Sequence, residues 1–181
     1  MAIGKTKKTA PEKKGFTLME LLIYIAILSV MTVIVANTFI MLTKGQGNIQ
    51  AKSELNSNLN FALEKIKRDV TSADNLTMPF TAGGSATSLK LTIGGNTVSY
   101  GVTDGRLTRQ VDTGTPEYIT SDKVNISYIM FFRRENSNST LTKKVIDVEI
   151  NLTGAYNSSS PDWQYSQSVK TSVSLNKDFD I

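Results

Sequence analysis

The chain has 181 residues, a formal net charge of +4 and a pI near 9.2, and it contains neither Cys nor His. Disulfide bonds, Cys/His zinc sites and nucleophilic sites with a histidine base are therefore excluded. The excess positive charge lies in residues 1–15, which hold five lysines and one glutamate, whereas residues 16–181 are neutral overall, so the pI does not indicate a nucleic-acid-binding surface.

An apolar segment follows this basic leader. The 22 residues from Leu21 to Leu42 carry no charge, and neither Gly nor Pro interrupts them. As a helix they would extend about 33 Å, enough to cross a hydrocarbon core of about 30 Å. The lysines of the leader would stay in the cytoplasm, so the rest of the chain would face outward. The segment is too long for a cleaved secretory signal, and Lys44-Gly45-Gln46-Gly47 after it is a poor cleavage site.

A plain membrane anchor would account for the apolar segment but not for two residues at its start. Glu20 is a carboxylate just inside the segment, where a lone charge is costly. Gly15 separates the lysine-rich leader from the apolar residues. Both features call for an explanation beyond anchoring.

Gly15-Phe16-Thr17-Leu18-Met19-Glu20, with the basic leader before it and the apolar helix after it, resembles the type III signal of type IV prepilins. In that family a short basic leader ends in Gly, Phe usually follows, and Glu is the fifth residue of the mature chain. The resemblance implies that a prepilin peptidase cuts between Gly15 and Phe16 and N-methylates Phe16. It also implies that the apolar helix is kept, first as a membrane anchor and later in the core of a filament.

Glu20 has a predicted role in assembly. A carboxylate in an apolar filament core needs a partner or must be neutral. Cleavage would give Phe16 a free amine, on the same chain or on a neighbouring subunit. The hypothesis is that Glu20 pairs with such an amine and sets the axial register of each incoming subunit. The alternative is that Glu20 lies solvated among the lipid headgroups.

The helical pattern continues beyond the apolar segment, and we predict one helix over residues 16–73. Apolar residues at three- and four-residue spacing form one stripe in its second half: Leu55, Leu59, Ala62, Leu63, Ile66 and Val70. Gly45 and Gly47 predict a soft point where the helix leaves the membrane. Four polar residues of the apolar half are interpreted as packing or helix–helix hydrogen-bonding positions: Tyr24, Ser29, Thr32 and Asn37.

Residues 76–181 alternate apolar and polar side chains and predict strands. Gly94-Gly95 and Asp104-Gly105 predict tight hairpin turns. The segment 123–134 predicts a strand that is buried on both faces. One face is predicted to hold Val124, Ile126, Tyr128, Met130 and Phe132, and the other Ile129 and Phe131. The inner face of a later strand is predicted to hold Ile146, Val148, Ile150 and Leu152.

The predicted fold is α+β and type IV pilin-like, with a long N-terminal helix packed on an antiparallel β-sheet head. Its first half spans the membrane, and the stripe of its second half covers the sheet. The chain divides accordingly into a basic leader (1–15), a transmembrane and assembly helix (16–43), an amphipathic half (44–75) and a β-sheet head (76–181).

Two local patterns in the sequence indicate which subclass of the family the chain resembles. Arg68-Asp69-Val70 with Ala73 ends the helix, and Tyr100, Asp104-Gly105, Leu107 and Arg109 follow on a predicted hairpin. This combination is similar to minor pilins and pseudopilins, such as the J-type minor pseudopilin of type II secretion, PilW-like minor pilins and competence pseudopilins. An alternative is that Asp69 and Arg109 form an ordinary surface or edge salt bridge. The Cys pair often seen near the C-terminus of major pilins is missing, which argues against a major pilin without excluding one.

No pattern of residues predicts catalytic, cofactor-binding or metal sites. Asp178 and Asp180 could contribute to a calcium site, as in some pseudopilins, but no loop resembles a dense cluster of oxygen ligands. Arg133-Arg134 and Lys143-Lys144 could form a small basic patch beside Phe131 and Phe132 that would matter if a pilus takes up DNA. The other interpretation is that they are solvated residues at strand ends, or charged residues that protect an aggregation-prone strand from pairing with other chains.

The expected function is therefore that of a non-enzymatic subunit, minor rather than major, of a type IV pilus or a secretion-like pseudopilus. The expected partners are prepilin peptidase, other pilin subunits, an inner-membrane assembly platform and membrane lipid, with DNA as a further alternative. The N-terminus would lie in the cytoplasm and the head outside, until the chain enters a filament. The alternatives are a major pilin, or a membrane-anchored binding or hydrolytic domain without a filament.

Overall fold

The computed structural model describes residues 15–138, 140, 142–177 and 179–180. The predicted leader, up to residue 14, and Asp178 lie outside this range. The chain divides into two compact units, Met1–Thr43 and Lys44–Ile181.

One α-helix, α1, runs from Leu18 to Thr71. Its ends fall two residues inside the predicted limits on each side, and the helix continues through Gly45 and Gly47 without interruption. In the second unit all six residues of the predicted stripe are buried, as are Ala51, one turn before Leu55, and Gly47, two turns before it. The amphipathic prediction for this half is confirmed, because the stripe forms one side of the hydrophobic core.

The strands of the described residues follow the helix. They are β1 (Asn75–Met78), β2 (Ser85–Ala86), β3 (Leu89–Ile93), β4 (Asn96–Thr103), β5 (Arg106–Val111), β6 (Glu117–Tyr118), β7 (Val124–Asn138), β8 (Lys143–Tyr156), β9 (Ser166–Ser174) and β10 (Phe179–Asp180). A single turn of 3₁₀-helix, Pro161–Trp163, lies between β8 and β9. The predicted α+β, pilin-like architecture of one long apolar N-terminal helix and an antiparallel head is confirmed.

The described strands of the head form two antiparallel sheets rather than the single sheet predicted. The first has the order β1-β3-β4-β5-β6. The second has the order β2-β7-β8, and β9 and β10 pair with successive parts of the same edge of β8. A backbone hydrogen bond of 2.6 Å from the Ile126 N–H to the Gly105 carbonyl ties the tip of the β4–β5 hairpin to β7.

Both predicted hairpin turns are present. Gly94 and Gly95 have φ angles of 56° and 87°, and Asp104 and Gly105 have φ angles of 52° and 71°. Two consecutive positive φ angles are what a two-residue turn of the type I′ class requires. The register that these turns set places Leu89, Leu91, Val98 and Tyr100 in the core.

The side-chain prediction for β7 was wrong beyond Ile126. A β-bulge interrupts the pairing with β8 between Ile126 and Tyr128, and an extra residue reverses which side chains point inward. Val124 and Ile126 are buried as expected, but Ile129 and Phe131 then take the inner positions. Tyr128 is 47% exposed, so the strand is not buried on both faces. The predicted inner face of β8 is confirmed, since all four of its residues are buried.

Candidate assembly segment and head contacts

The predicted processing and assembly residues lie at the start of α1. Gly15 and Phe16 precede the helix, and Glu20 is the third residue within it. All three are exposed. The Phe16 ring meets the Tyr24 ring edge-on, with centroids 5.8 Å apart. The structure therefore presents the Gly15–Phe16 bond outside regular structure, immediately before a helix.

Glu20 also belongs to a helix cap that the sequence interpretation missed. The backbone N–H of Glu20 donates to the Thr17 carbonyl at 3.1 Å and lies 3.3 Å from the Thr17 hydroxyl oxygen. Thr17-Leu18-Met19-Glu20 has the Thr-x-x-Glu spacing of a capping box, so the signal was present in the sequence. Its negative charge in the first turn also suits the positive end of the helix dipole. Any test of Glu20 in assembly must separate its charge from this local role.

The apolar part of α1 is long and apolar enough to cross a membrane, and none of its most apolar window is buried. Its hydroxyl groups donate to carbonyls of the helix itself, four residues earlier: Ser29 to Ile25, Thr32 to Leu28, Thr38 to Ile34 and Thr43 to Phe39, at 2.7–2.9 Å. In hydrocarbon this pairing removes the cost of an unsatisfied hydroxyl. Ser29 and Thr32 therefore have their donors satisfied within the helix and do not need the predicted helix–helix hydrogen bonds.

The Asp69, Tyr100 and Arg109 side chains meet where α1 ends against the β4–β5 hairpin. Tyr100 Oη donates to Asp69 Oδ2 at 2.7 Å, and Arg109 Nε lies 2.7 Å from the same oxygen. Tyr100 and Arg109 face each other across the hairpin, and the Asp69 and Arg109 side chains are 11% and 18% exposed. The surface-salt-bridge interpretation was wrong, because this is a largely buried three-residue network that fastens the helix to the first sheet.

Tyr100 makes the stability of this network sensitive to alkaline pH. Burial, and next the hydrogen bond to Asp69, raise the pKa of Tyr100 above its usual value of 10.0. In the unfolded chain the phenol ionises near pH 10, whereas in the folded chain it stays neutral. The stabilisation is thus complete below pH 10 and is lost as pH rises further, at up to about 1.4 kcal/mol per pH unit.

We expect Tyr100→Phe to show this dependence. Near pH 8 the variant should be less stable than the natural chain by about 1 kcal/mol, because one hydrogen bond is lost. The difference should shrink and vanish as the pH approaches about 11. Denaturant unfolding of the full chain in detergent micelles at a series of pH values measures it, with Tyr118→Phe on the exposed edge strand as the control. A difference that stays constant with pH would contradict the assignment.

Gly47 allows close contact between α1 and the connection from β8 to β9. A Cβ atom built at this position would lie 2.5 Å from Trp163 Nε1 and 2.7 Å from Trp163 Cε2. The Trp163 ring lies 6.3 Å from the Tyr156 ring, and Lys52 Nζ lies 5.6 Å from the centroid of Tyr165. Gly47 was predicted as a soft point, but in the structure it is a buried helical residue on which an indole rests.

Gly47→Ala is expected to displace Trp163. Alanine favours the helix by up to about 1 kcal/mol, but the clash should outweigh this gain and destabilise the chain by about 1–3 kcal/mol. Gly45→Ala is the matched control, because a Cβ there has nothing within 4 Å, and this variant should gain stability. Trp163 is the single tryptophan, so its emission should shift to the red only in Gly47→Ala. Identical spectra for both variants would show that the indole does not rest on Gly47.

Neither interpretation of the basic residues on β7 and β8, as a basic patch or as solvated strand ends, holds for Arg133. The Arg133 side chain is buried, where its Nη1 donates to the carbonyls of Leu76, Pro79 and Phe80 at 3.0–3.4 Å and its Nε donates to Glu135 at 2.6 Å. Arg134 lies 3.5 Å from Glu149, and Lys144 lies 3.6 Å from Glu135. Arg133 thus fastens the segment after β1 to the second sheet, and carboxylates balance its basic neighbours.

The described residues contain no group of three or more Asp or Glu side chains that could hold a metal ion. The predicted calcium ligand Asp178 and the Asp180 side chain lie outside what the structure describes. Glu149 instead meets Lys170 at 2.9 Å, and this ammonium holds the pKa of Glu149 below its usual value. Glu149 and Glu135 thus act as partners of basic side chains, whereas Asp112 accepts a hydrogen bond from the backbone of Thr97.

Comparison with known families identifies the N-terminal segment. Residues 11–36 match the model of the prokaryotic N-terminal methylation motif. A comparison with curated proteins finds no match, and a comparison with solved structures finds none either. The matched range contains Gly15, Phe16, Glu20 and much of the apolar half of α1. With the α+β architecture, this match supports a prepilin of the type IV pilin-like family, whose members are structural subunits processed by prepilin peptidase and assembled with other pilins.

Proposed function

We propose that the chain is a minor subunit of a type IV pilus or of a pseudopilus like that of type II secretion. The observation that carries this proposal is the methylation motif over residues 11–36. In this proposal prepilin peptidase removes residues 1–15 and methylates the new N-terminus at Phe16. Residues 16–43 then anchor the chain and later pack into the filament, with Glu20 directing assembly.

The described contacts are compatible with this sequence of events. The Gly15–Phe16 bond lies outside the helix and both residues are exposed, so a peptidase can reach it. The serine and threonine hydroxyls of the apolar segment are satisfied internally, so this part of α1 can lie in lipid or among other apolar helices. The lysines of the leader favour a cytoplasmic N-terminus and an external head. In this arrangement the amphipathic half (44–75) and the head (76–181) carry the outer surface of the subunit.

A minor rather than a major subunit is favoured by the head. The Asp69–Tyr100–Arg109 network gives a structural reason for the paired sequence patterns that resemble minor pilins and pseudopilins. The Cys pair common in major pilins is not in the sequence. The proposed partners are prepilin peptidase, other pilin or pseudopilin subunits, an inner-membrane assembly platform and lipid.

Intact-mass measurement and N-terminal sequencing of the chain recovered from membranes test the proposal. The expected product begins at N-methylated Phe16 and lacks residues 1–15. The same chain from a host without prepilin peptidase should keep its leader. A chain that keeps Met1–Gly15 beside an active peptidase would instead support an anchored binding or hydrolytic domain without a filament.

A further inference from the structure

A cleft of about 350 Å³ lies at one end of the second sheet, in the unit Lys44–Ile181. One wall comes from the end of β8 and the residues after it, Tyr156, Asn157 and Ser158. The other wall comes from the adjacent segment, Gln164, Tyr165 and Ser166, which leads into β9 and runs beside the end of β8. The volume is within the usual range for small-molecule sites, and nothing in the proposed filament role uses this cleft.

The walls of the cleft are held in place by backbone hydrogen bonds. The Tyr156 N–H donates to the Tyr165 carbonyl at 2.8 Å, and the Asn157 N–H donates to the Lys123 carbonyl at 2.7 Å. The 3₁₀ turn between the walls is closed by the Trp163 N–H bonding to Ser160. Trp163 also rests on Gly47 of α1. The cleft is therefore preformed, which lowers the entropic cost of binding.

The lining of the cleft is polar but uncharged. Amides come from Asn157 and Gln164, hydroxyls from Ser158 and Ser166, and aromatic surface from the two tyrosines. An anion would need a cationic partner and a metal ion would need carboxylates, and the residues that line the cleft supply neither. The Asn157 amide nitrogen already donates to the Asp122 carbonyl at 3.3 Å, but a purely apolar ligand would leave the Gln164 amide unpaired at a cost. A neutral molecule with many hydroxyls suits the amides, the serine hydroxyls and the aromatic surface of the cleft, because its hydroxyls can donate hydrogen bonds to the amides and accept hydrogen bonds from them.

We propose that this cleft binds a neutral carbohydrate. Its hydroxyls pair with the amides and serines, and the apolar face of a sugar ring packs against tyrosine, which offers both an apolar surface and a polar tip. The proposal goes beyond the filament role and is independent of processing at Phe16, so it stands or falls separately. It would give the head a surface that adheres to neutral glycans.

Trp163 reports on binding in the full-length chain. Its ring lies 6.3 Å from that of Tyr156, which lines the cleft, and it is the single tryptophan. The chain is purified in a detergent without a sugar headgroup, because a maltoside would compete for the cleft. Titration with the neutral sugars tetra-N-acetylchitotetraose and maltotetraose should change the emission of Trp163 and saturate. No saturable change or heat of binding with either sugar up to about 10 mM would overturn the proposal.

Matched substitutions locate the binding. Gln164 and Ser166 are exposed residues of the cleft. Gln164→Ala and Ser166→Ala should each lower the affinity for the tetrasaccharide about fivefold, as the loss of one hydrogen bond predicts. Gln110→Ala on β5 and Ser172→Ala at the far end of β9 remove the same groups elsewhere and should leave affinity unchanged. Equal affinity in all four variants would place the sugar outside the cleft and overturn the proposal. So would tighter binding of a sulfated tetrasaccharide, because it would indicate a cationic site.

Discussion

Glu20→Ala is expected to yield a chain that is processed normally but does not enter filaments. Without the carboxylate, the N-terminal amine of Phe16 on a neighbouring subunit would enter an apolar core unpaired. Breaking a buried ion pair by removing one partner costs about 3–5 kcal/mol, and every 1.4 kcal/mol is about tenfold in an equilibrium. We therefore expect filament-incorporated chain to fall to below about one-hundredth of its normal amount, measured in sheared filaments against processed chain in the membrane.

Glu20→Gln separates the charge from the helix cap. Gln suits the third helical position of a capping box as Glu does, so the contact between the Glu20 N–H and Thr17 should persist. The amide cannot neutralise an amine, so assembly should still fail. Thr17→Ala is the complementary control, because it removes the cap and keeps the charge. Normal filaments from Glu20→Gln, or failure only in Thr17→Ala, would mean that the cap and not the charge directs assembly.

Asp69→Ala is expected to cause the largest loss of stability in the head. The substitution leaves Arg109 and the buried hydroxyl of Tyr100 without their shared partner. We expect the free energy of unfolding to fall by about 3–5 kcal/mol. Denaturant unfolding of the full chain in detergent, followed by Trp163 emission, measures the loss.

A surface ion pair provides the control for Asp69→Ala. Glu54 and Lys123 lie 3.4 Å apart with side chains 26% and 55% exposed. Glu54→Ala should therefore cost less than about 1 kcal/mol. The double variant Asp69→Ala with Arg109→Met should recover part of the loss, because no unpaired guanidinium then remains. Equal costs for Asp69→Ala and Glu54→Ala would contradict the role of the network.

Some of the network was visible in the sequence, but its meaning was not. Asp69, Tyr100 and Arg109 lay in two patterns that suggested a subclass. The hairpin turn Asp104-Gly105 also fixed which residues face each other, since Tyr100 pairs with Arg109 across it. Periodicity did not reveal that the end of α1 brings Asp69 to this pair. That contact joins residues 31 and 40 positions apart, and such distances carry no local signal.

The strand β7 shows a limit of a different kind. A period of two assigns side chains to faces only while the pairing stays in register. The bulge after Ile126 comes from the pairing with β8. The apolar run Ile129–Phe132 therefore contains no signal that predicts the bulge. The same reversal turns Arg133 inward to three backbone carbonyls, so Arg133 is neither part of a basic patch nor a solvated strand end.

The sequence by itself determined the methylation motif, the long helix with its apolar and amphipathic halves, the two hairpin turns and the α+β class. All of these depend on neighbouring residues, through charge, helical spacing or turn geometry. Only the tertiary structure decided the division into two sheets, the inward turn of Arg133, the Asp69–Tyr100–Arg109 network and the contact of Trp163 with Gly47. Each of these depends on which surfaces, distant in the sequence, pack together. Such packing depends on how closely the shapes of the surfaces fit, and the surfaces meet only when the chain folds.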